Sequence, residues 1–300
     1  MILCCGEALI DMLPRQAAEE GCFAPHAGGA VFNTAIALGR LGAPVQFFSG
    51  LSSDLFGAIL QDQLRASGVD ASPAAISDRP TTLAFVTLTN GQASYAFYDE
   101  NTAGRMLTPA DLPATSADAL FFGGISLVVD PCAAAYEALM LREAPRAVTM
   151  IDPNIRPGFV KDEAAYRARL IRMLGVADII KISDEDLAWI TGTDDATALR
   201  AQTGAAVVLL TRGADGVTVV TEDAMFDVAA VKAEVVDTVG AGDTFSAGFL
   251  ADLHAQGLLT KTAIASADRT ALTRAAAFGA KVAAITVSRA GANPPWAAEL

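Results

Sequence analysis

The sequence predicts an α/β protein, a largely parallel sheet covered by helices on both faces. Short β-rich apolar runs alternate along the chain with Ala- and Leu-rich segments of helical period, the order of successive βα units. The runs are apolar at consecutive positions, as strands covered on both sides should be. No internal repeat or low-complexity linker interrupts them, so residues 1–300 read as one domain.

The first strand is expected at 2–5 (ILCC), running on through Gly6-Glu7 to Asp11. Helical spacing at 31–41, after Gly28-Gly29, gives way to an apolar run at 45–49 and a second periodic stretch at 56–67. Further strands are expected at 119–122 (ALFF), 148–151 (VTMI), 179–181 (IIK), 207–210 (VVLL) and 217–220 (VTVV). Helices are expected at 132–142, 164–174, 185–191, 244–256 and 263–284, with 244–256 stopping near Gly257.

Residues 81–98 break the alternation. They read as two strands joined at Asn90-Gly91, the strongest short hairpin signal. The first strand is apolar on both faces, Leu83 and Phe85 against Ala84, Val86 and Leu88, so both faces call for cover. A lid over a ligand, packing also on a second subunit, would supply it. A plain edge hairpin on its own domain is the other reading.

With 52% hydrophobic residues the chain has ample material for a core. No uncharged apolar run reaches the ~18 residues that a membrane span needs. Without a basic leader, and with Glu7 and Asp11 interrupting the first apolar stretch, no signal peptide is expected. Cys4, Cys5, Cys22 and Cys132 form no Cys-x-x-Cys pair, which points to a reduced, cytoplasmic protein. His26 and His254 are too isolated for a zinc site or a Ser-His-Asp hydrolase. The net charge of −13 repels nucleic acid and anionic membranes, so a nucleotide would need local cations. Arg156, Lys181, Arg212 and Arg289, near strand ends, are the candidates.

The most informative stretch is Asp237 to Gly248, DTVGAGDTFSAG, fed by the apolar run 231–236. Glycines at a helix start leave backbone N–H groups bare, and with the helix dipole they form an anion site. Asp243 beside that positive end is expected to stay ionised and to point at the anion. A carboxylate next to a phosphate-sized anion hole suggests phosphoryl transfer to a hydroxyl. A turn with an Asp cap has the same local sequence.

Asp237 to Gly248 resembles the C-terminal signature of the ribokinase-like (PfkB) carbohydrate kinases. Gly28-Gly29-Ala30-Val31-Phe32-Asn33-Thr34-Ala35 resembles a second motif of that family, and the first strand through Asp11 a third, in the right order. The resemblance implies a ribokinase-like three-layer α/β/α sandwich with a mostly parallel central sheet and a small β-sheet lid. The lid would comprise about 12–27 and 81–98, and many members form homodimers through it. Asp152-Pro153-Asn154-Ile155-Arg156-Pro157 resembles fructokinases and ketodeoxygluconate kinases, and the run Asp99 to Arg105 resembles fructokinases.

By residue, the resemblance implies that Asp11, Gly29 and Asn33 grip the sugar hydroxyls, with Gly28 allowing close approach. Read alone, Asp11 is also a solvated loop acid and Asn33 a helix-start polar residue. Phe97, Tyr98 and Arg105 would help choose the sugar, and Arg156 would clamp the travelling phosphoryl group or the anomeric region. Gly240, Ala241 and Gly242 would form the anion hole, with Asp243 as general base. ATP would lie along Lys181, Ser183, Thr211, Gly213 and Gly216, its adenine near 276–281. The family's Asn-x-x-Glu reads here Ser183-x-x-Asp186, and the shorter acid points to a water-mediated route to Mg²⁺. An acidic helix N-terminus accounts for Asp186 almost as well. Asp237 and the Val239 carbonyl, with the loop 288–292, would hold a monovalent cation such as K⁺.

The expected reaction passes the γ-phosphoryl group of ATP to a primary hydroxyl of a monosaccharide, D-fructose first. The other readings are 2-keto-3-deoxygluconate or another sugar or nucleoside as acceptor, and a non-catalytic sugar sensor. The chain has no G-x-x-x-x-G-K-[ST], so it is not a P-loop kinase, and no strand opens into G-x-G-x-x-G.

Overall fold

The structure is a computed structural model that describes residues 1–17, 20–89 and 92–300. It opens with β1 (Ile2–Cys5), buried at all four positions, and an antiparallel pair, β2 (Leu9–Ala17) and β3 (Glu20–Gly28). Helix α1 (Ala30–Arg40) leads to β4 (Val45–Phe48), β5 (Gly50–Ser52), α2 (Leu55–Ala66) and β6 (Ala75–Ser77). There follow β7 (Leu83–Thr89), β8 (Gln92–Tyr98), β9 (Ala119–Gly123), α3 (Cys132–Glu143), β10 (Val148–Asp152) and α4 (Glu163–Leu174). Next come β11 (Ile179–Ser183), α5 (Asp184–Thr191), α6 (Ala196–Thr203), β12 (Val207–Thr211), β13 (Val217–Val220) and β14 (Met225–Val228). The chain closes with α7 (Ala241–Ala255), α8 (Lys261–Ala265) and α9 (Arg269–Val287).

Eight strands form the main sheet in the order β14-β13-β12-β11-β10-β9-β1-β4. It is parallel from β4 to β12, with β13 and β14 antiparallel at one edge. Alternation along each strand divides the core in two. Ile2 and Cys4 pack with α1, α7 and α9, whereas Leu3 and Cys5 pack with α3, α4, α5 and α6. This is the three-layer α/β/α sandwich that the resemblance implies.

The connections decide where a ligand can enter. From β1 the chain moves outward to β4 through α1, and from β9 it moves the other way to β10 through α3. The crossovers leave neighbouring strands on opposite faces and open a crevice at their C-terminal ends.

A second sheet has the order β3-β2-β7-β8. Its hairpin pairs Thr89 with Gln92, while the Asn90-Gly91 turn itself lies outside the described residues. Ala84 and Val86 are buried on one face, and on the other Phe85 packs edge-on against Phe23 and Tyr98. That aromatic face is partly open, with Tyr98 62% exposed.

The structure departs from expectation in several places. The helix expected at 263–284 is two, because Asp268 caps a fresh start by accepting the Ala271 N–H. Helix α6 and edge strand β14 appear where no regular element was expected, whereas β2 and β3 fall on the segment 12–27 expected to contribute to a small second sheet. The apolar run 231–236 is irregular surface chain, with Val235 and Val236 each 62% exposed. Among the described residues no helix is long and apolar enough to cross a membrane.

Candidate active site

The C-terminal ends of β1, β9, β10 and β11 border a cleft of about 320 Å³, closed on one side by the N-termini of α1 and α7 and on another by the second sheet. Gly240 starts α7 with φ 78° and no side-chain cap, so the helix presents bare amides to the cleft. A Cβ on Gly240 would lie 2.6 Å from the Ala292 side chain, and one on Gly242 would lie 2.9 Å from Lys181 Nζ. Glycine is therefore needed at 240 for conformation and at 242 for the close approach of an ammonium group.

Asp243 sits in the first turn of α7, 8% exposed. The Nδ2 of Asn33 donates to its Oδ2 at 2.9 Å, and the Thr34 hydroxyl donates to its backbone carbonyl at 3.1 Å. Burial pushes the Asp243 carboxyl up to about 7; the Asn33 bond opposes this, Asp152 adds to it, Lys181 opposes, and Glu7 adds. The expectation that Asp243 simply stays ionised is corrected here. Desolvation of the buried carboxyl is the largest effect, and near neutral pH the group both holds and releases a proton.

Below the glycine turn 240–242, Lys181 Nζ donates to Asp152 Oδ2 at 2.8 Å, both side chains being almost fully buried. Burial works against its charge, but Asp152, with Asp243 and Asp186 behind it, holds the ammonium above its usual range. The second oxygen of Asp152 is buried and has no hydrogen-bond partner. Asp186 is pushed up to about 6 by burial and then by Asp152, while accepting the Ile155 N–H at 3.1 Å. Ser183 spends its hydroxyl capping α5, where it accepts the Asp186 N–H at 3.0 Å.

On the opposite wall, Asp11 is raised to about 6 by burial. A Cβ on Gly28 would lie 2.2 Å from Asp11 Oδ2, so the glycine makes room for that carboxylate. Gly29, at φ 110°, packs against the Glu7 carbonyl. Phe97 lines the cleft from β8 and meets Phe159, in the loop that carries Arg156, edge-on at 4.9 Å.

The structure thus brings Asp11, Gly29, Asn33, Phe97, Arg156, Lys181, Val239, Gly240, Ala241, Gly242 and Asp243 to one cleft. It does not bring Arg105 there: its guanidinium is tied to Asp99, 3.2 Å from both carboxylate oxygens. Of the four candidate cations, Arg289 pairs with Glu299 at 2.6 Å and Arg212 bonds Thr218, leaving Arg156 and Lys181 at the cleft. Thr211, Gly213 and Gly216 lie at the end of β12, next to β11 on the same edge of the sheet but outside the lining. Asp237 accepts the N–H groups of Val239 and Gly291 at 3.0 and 2.9 Å, fastening the glycine turn to the loop 288–292. Among the described residues no group of three or more His, Cys, Asp or Glu side chains could hold a metal ion, and Asp186 and Asp237 belong to none.

Seven lining residues carried no assigned role in the sequence reading: Glu7, Leu9, Ala30, Gly124, Ile125, Asn154 and Thr238. Asn154 adopts φ 45°, a conformation Asn tolerates better than most residues. The Gly123-Gly124 pair after an apolar run was the visible signal for that wall. Glu7 carried none beyond its place beside Gly6.

The sequence profile of the pfkB family carbohydrate kinases matches residues 1–299. The chain is 57% identical over 279 residues to a fructokinase of Rhizobium leguminosarum bv. trifolii, covering 91% of this chain and 85% of that protein. Among solved structures, fructokinase with bound ATP from Xylella fastidiosa superposes with a TM-score of 0.90 at 33% identity, over 97% of this chain and 93% of that one. Fructokinase from Vibrio cholerae O395, in its fructose, ADP and calcium ion bound form, gives 0.84 at 25% identity, over 97% and 94%.

Proposed function

The chain belongs to the pfkB family of carbohydrate kinases, and from that premise we propose that its cleft transfers the γ-phosphoryl group of MgATP to a primary hydroxyl of D-fructose. One observation carries the chemistry: a buried carboxylate, Asp243, stands between a sugar-facing amide, Asn33, and the bare amides of a glycine turn. The choice of fructose is supported by the names of the relatives, the nearly full coverage, and a 320 Å³ cleft that suits a monosaccharide.

In this reading the acceptor hydroxyl lies against Asp243, with Asp11 and the Asn33 side-chain oxygen on other hydroxyls. The γ-phosphoryl group faces the amides of Gly240–Gly242, Lys181 Nζ and Arg156. As the sugar oxygen bonds to phosphorus, the bond to the β-phosphate bridging oxygen breaks, ADP leaves, and Asp243 takes the hydroxyl proton. A carboxylate lifted to about 7 is a better base than an ordinary one. Most of the acceleration comes from alignment and charge stabilisation, since the transition state is loose.

Bound with ATP, a magnesium ion would supply neutralisation of the phosphate charge. Asp186 and Asp152, whose second oxygen is unpartnered, are the carboxylates that would hold it, through water. Thr211, Gly213 and Gly216 are assigned to the nucleotide, and the loops 237–239 and 288–292 to a monovalent cation. The second sheet is assigned as a lid, its open aromatic face as a homodimer contact, and the protein to the cytoplasm.

The test is ADP release by the purified protein with MgATP against D-fructose, 2-keto-3-deoxygluconate, ribose and adenosine. Turnover led by fructose supports the whole reading. Turnover led by another acceptor keeps the chemistry and discards the substrate. Silence across the panel, with ATP still bound, returns the chain to a sensor.

A further inference from the structure

Glu7 lies in the turn between β1 and β2, where the crossovers from β1 and β9 part to opposite faces of the sheet. It is 9% exposed and lines the cleft. One oxygen, Oε1, accepts the N–H of Ala30, the first residue of α1, at 2.9 Å. The other, Oε2, accepts the N–H of Ser126 at 3.3 Å, in the short 3₁₀ turn Gly124–Leu127 that follows β9. Helix α1 has Gly29 at its N-cap and no side-chain cap of its own, so Glu7 supplies that cap from a distant segment. The surroundings are shaped for a carboxylate. A Cβ on Gly124 would fall 2.0 Å from Oε1, and one on Gly29 2.9 Å from the Glu7 carbonyl.

A buried carboxylate shared between two backbone amides is a poor choice for stability alone, because desolvating the charge is costly. Its geometry gives a different account. The amide it holds on one side opens the turn of α1 that carries Asn33, whose own N–H bonds the Gly29 carbonyl at 2.8 Å and whose side chain holds Asp243. The amide it holds on the other side fixes the wall formed by Gly124 and Ile125.

We propose that Glu7 is a positioning residue of this kinase: it ties the start of α1 to the turn after β9, and so sets the sugar-gripping Gly29–Asn33 segment at a fixed distance from Asp243. This rests on the phosphoryl-transfer reading given above. Glu7 also bears on the base electrostatically. The titratable groups facing Asp243 are Glu7 from the β1–β2 turn, its carboxyl raised above its usual range by burial against the bonds from Ser126 and Ala30, Asp152 from β10 and Lys181 from β11, with neutral Asn33 from α1. The groups near Glu7 itself are Cys132 and Tyr136 on α3 and Tyr166 on α4, all raised by burial and so neutral near pH 7.

Two variants separate position from charge. Glu7→Asp keeps the charge but is too short to span both amides. It should raise the sugar KM, and the sugar Kd measured by titration calorimetry, by about tenfold, leaving the ATP KM within about twofold. The acid limb of its pH profile should stay in place. Glu7→Gln keeps the length but turns an N–H₂ group toward one amide and removes the charge. It should weaken sugar binding by a similar factor and also move the acid limb to lower pH. Sugar binding at wild-type strength in both variants would overturn the proposal. So would equal rises in both KM values with a matching fall in melting temperature, or loss of the fold in both, since each assigns Glu7 to stability alone. Wild-type turnover on the acceptor panel is measured alongside. Silence there defeats the functional reading, whereas wild-type behaviour of the Glu7 variants defeats only this inference.

Discussion

Asn33 and Asp243 stand 210 residues apart in the chain and 2.9 Å apart in space, the amide Nδ2 donating to the carboxylate Oδ2. Each lies near the start of a helix that follows a glycine at positive φ, Gly29 at 110° and Gly240 at 78°. In the proposed reaction the bond would join the sugar end of the cleft to its phosphoryl end, and it steadies the charged form of a carboxylate that burial pushes toward protonation.

Asn33→Ala removes that donor, so the Asp243 carboxyl should rise above about 7. At pH 7 less of it is a base, and kcat should fall by about tenfold or more. Part of the loss should return by pH 8.5, which a kcat–pH profile reads directly. A variant profile lying on the wild-type one would contradict the role given to this bond.

The same burial sets a stability prediction of definite sign. Asp243 rises from 3.8 to about 7 on folding, and Asp11 and Asp186 rise to about 6, so the folded chain binds these protons more tightly than the unfolded chain. Their contribution is complete below about pH 3.8 and is lost as pH rises through 6 to 7. Asp243→Asn carries no such penalty. Relative to the native chain it should be the more stable by a few kcal/mol at pH 8, with the difference shrinking toward pH 5. Melting curves at the two pH values check this.

Gly28→Ala places a methyl group 2.2 Å from Asp11 Oδ2 at a position without positive φ. The backbone is unstrained, so the cost should fall on the carboxylate. The sugar KM should rise by roughly ten- to a hundredfold while the ATP KM holds. Parallel changes in both constants would mean that Asp11 does not meet the sugar.

Lys181→Met leaves Asp152 with neither oxygen partnered in a buried site, a loss of about 3–5 kcal/mol. Adding Asp152→Asn should recover much of the stability without recovering turnover, since the cation beside Gly242 is still missing. Denaturant melts and ADP release on the single and double variants separate the two effects. Recovered turnover in the double variant would remove Lys181 from the chemistry.

Most of the central architecture was legible from periodicity. Strands such as Ile179–Ser183 and Val207–Thr211 are apolar on both faces because helices cover both, and α7 announces itself by its glycine turn. Short elements were harder. Helix α6 is eight residues long and buries only Ala196 and Leu199, and β14 alternates exposed and buried side chains at an edge. Asp268 looks like any surface acid until it is seen to divide α8 from α9. In the site, motif residues converged as their order suggested, but their electrical state did not follow from sequence. The position of Asp243 at a helix N-terminus argues for a low pKa, and only its burial beside Asp152 and Glu7 reverses that. For Arg105, a motif residue, nothing in the sequence hinted that the guanidinium pairs with Asp99.

The most direct test of the central claim is turnover of D-fructose with MgATP by the native chain and by Asp243→Asn across pH 5 to 9, with fructose affinity measured by calorimetry. The account predicts a native profile that rises through about pH 7 and levels off, and an Asn variant that binds fructose within a few-fold of native but turns over about a thousandfold more slowly. An Asn variant with near-native turnover, or a native profile flat down to pH 5, would contradict it.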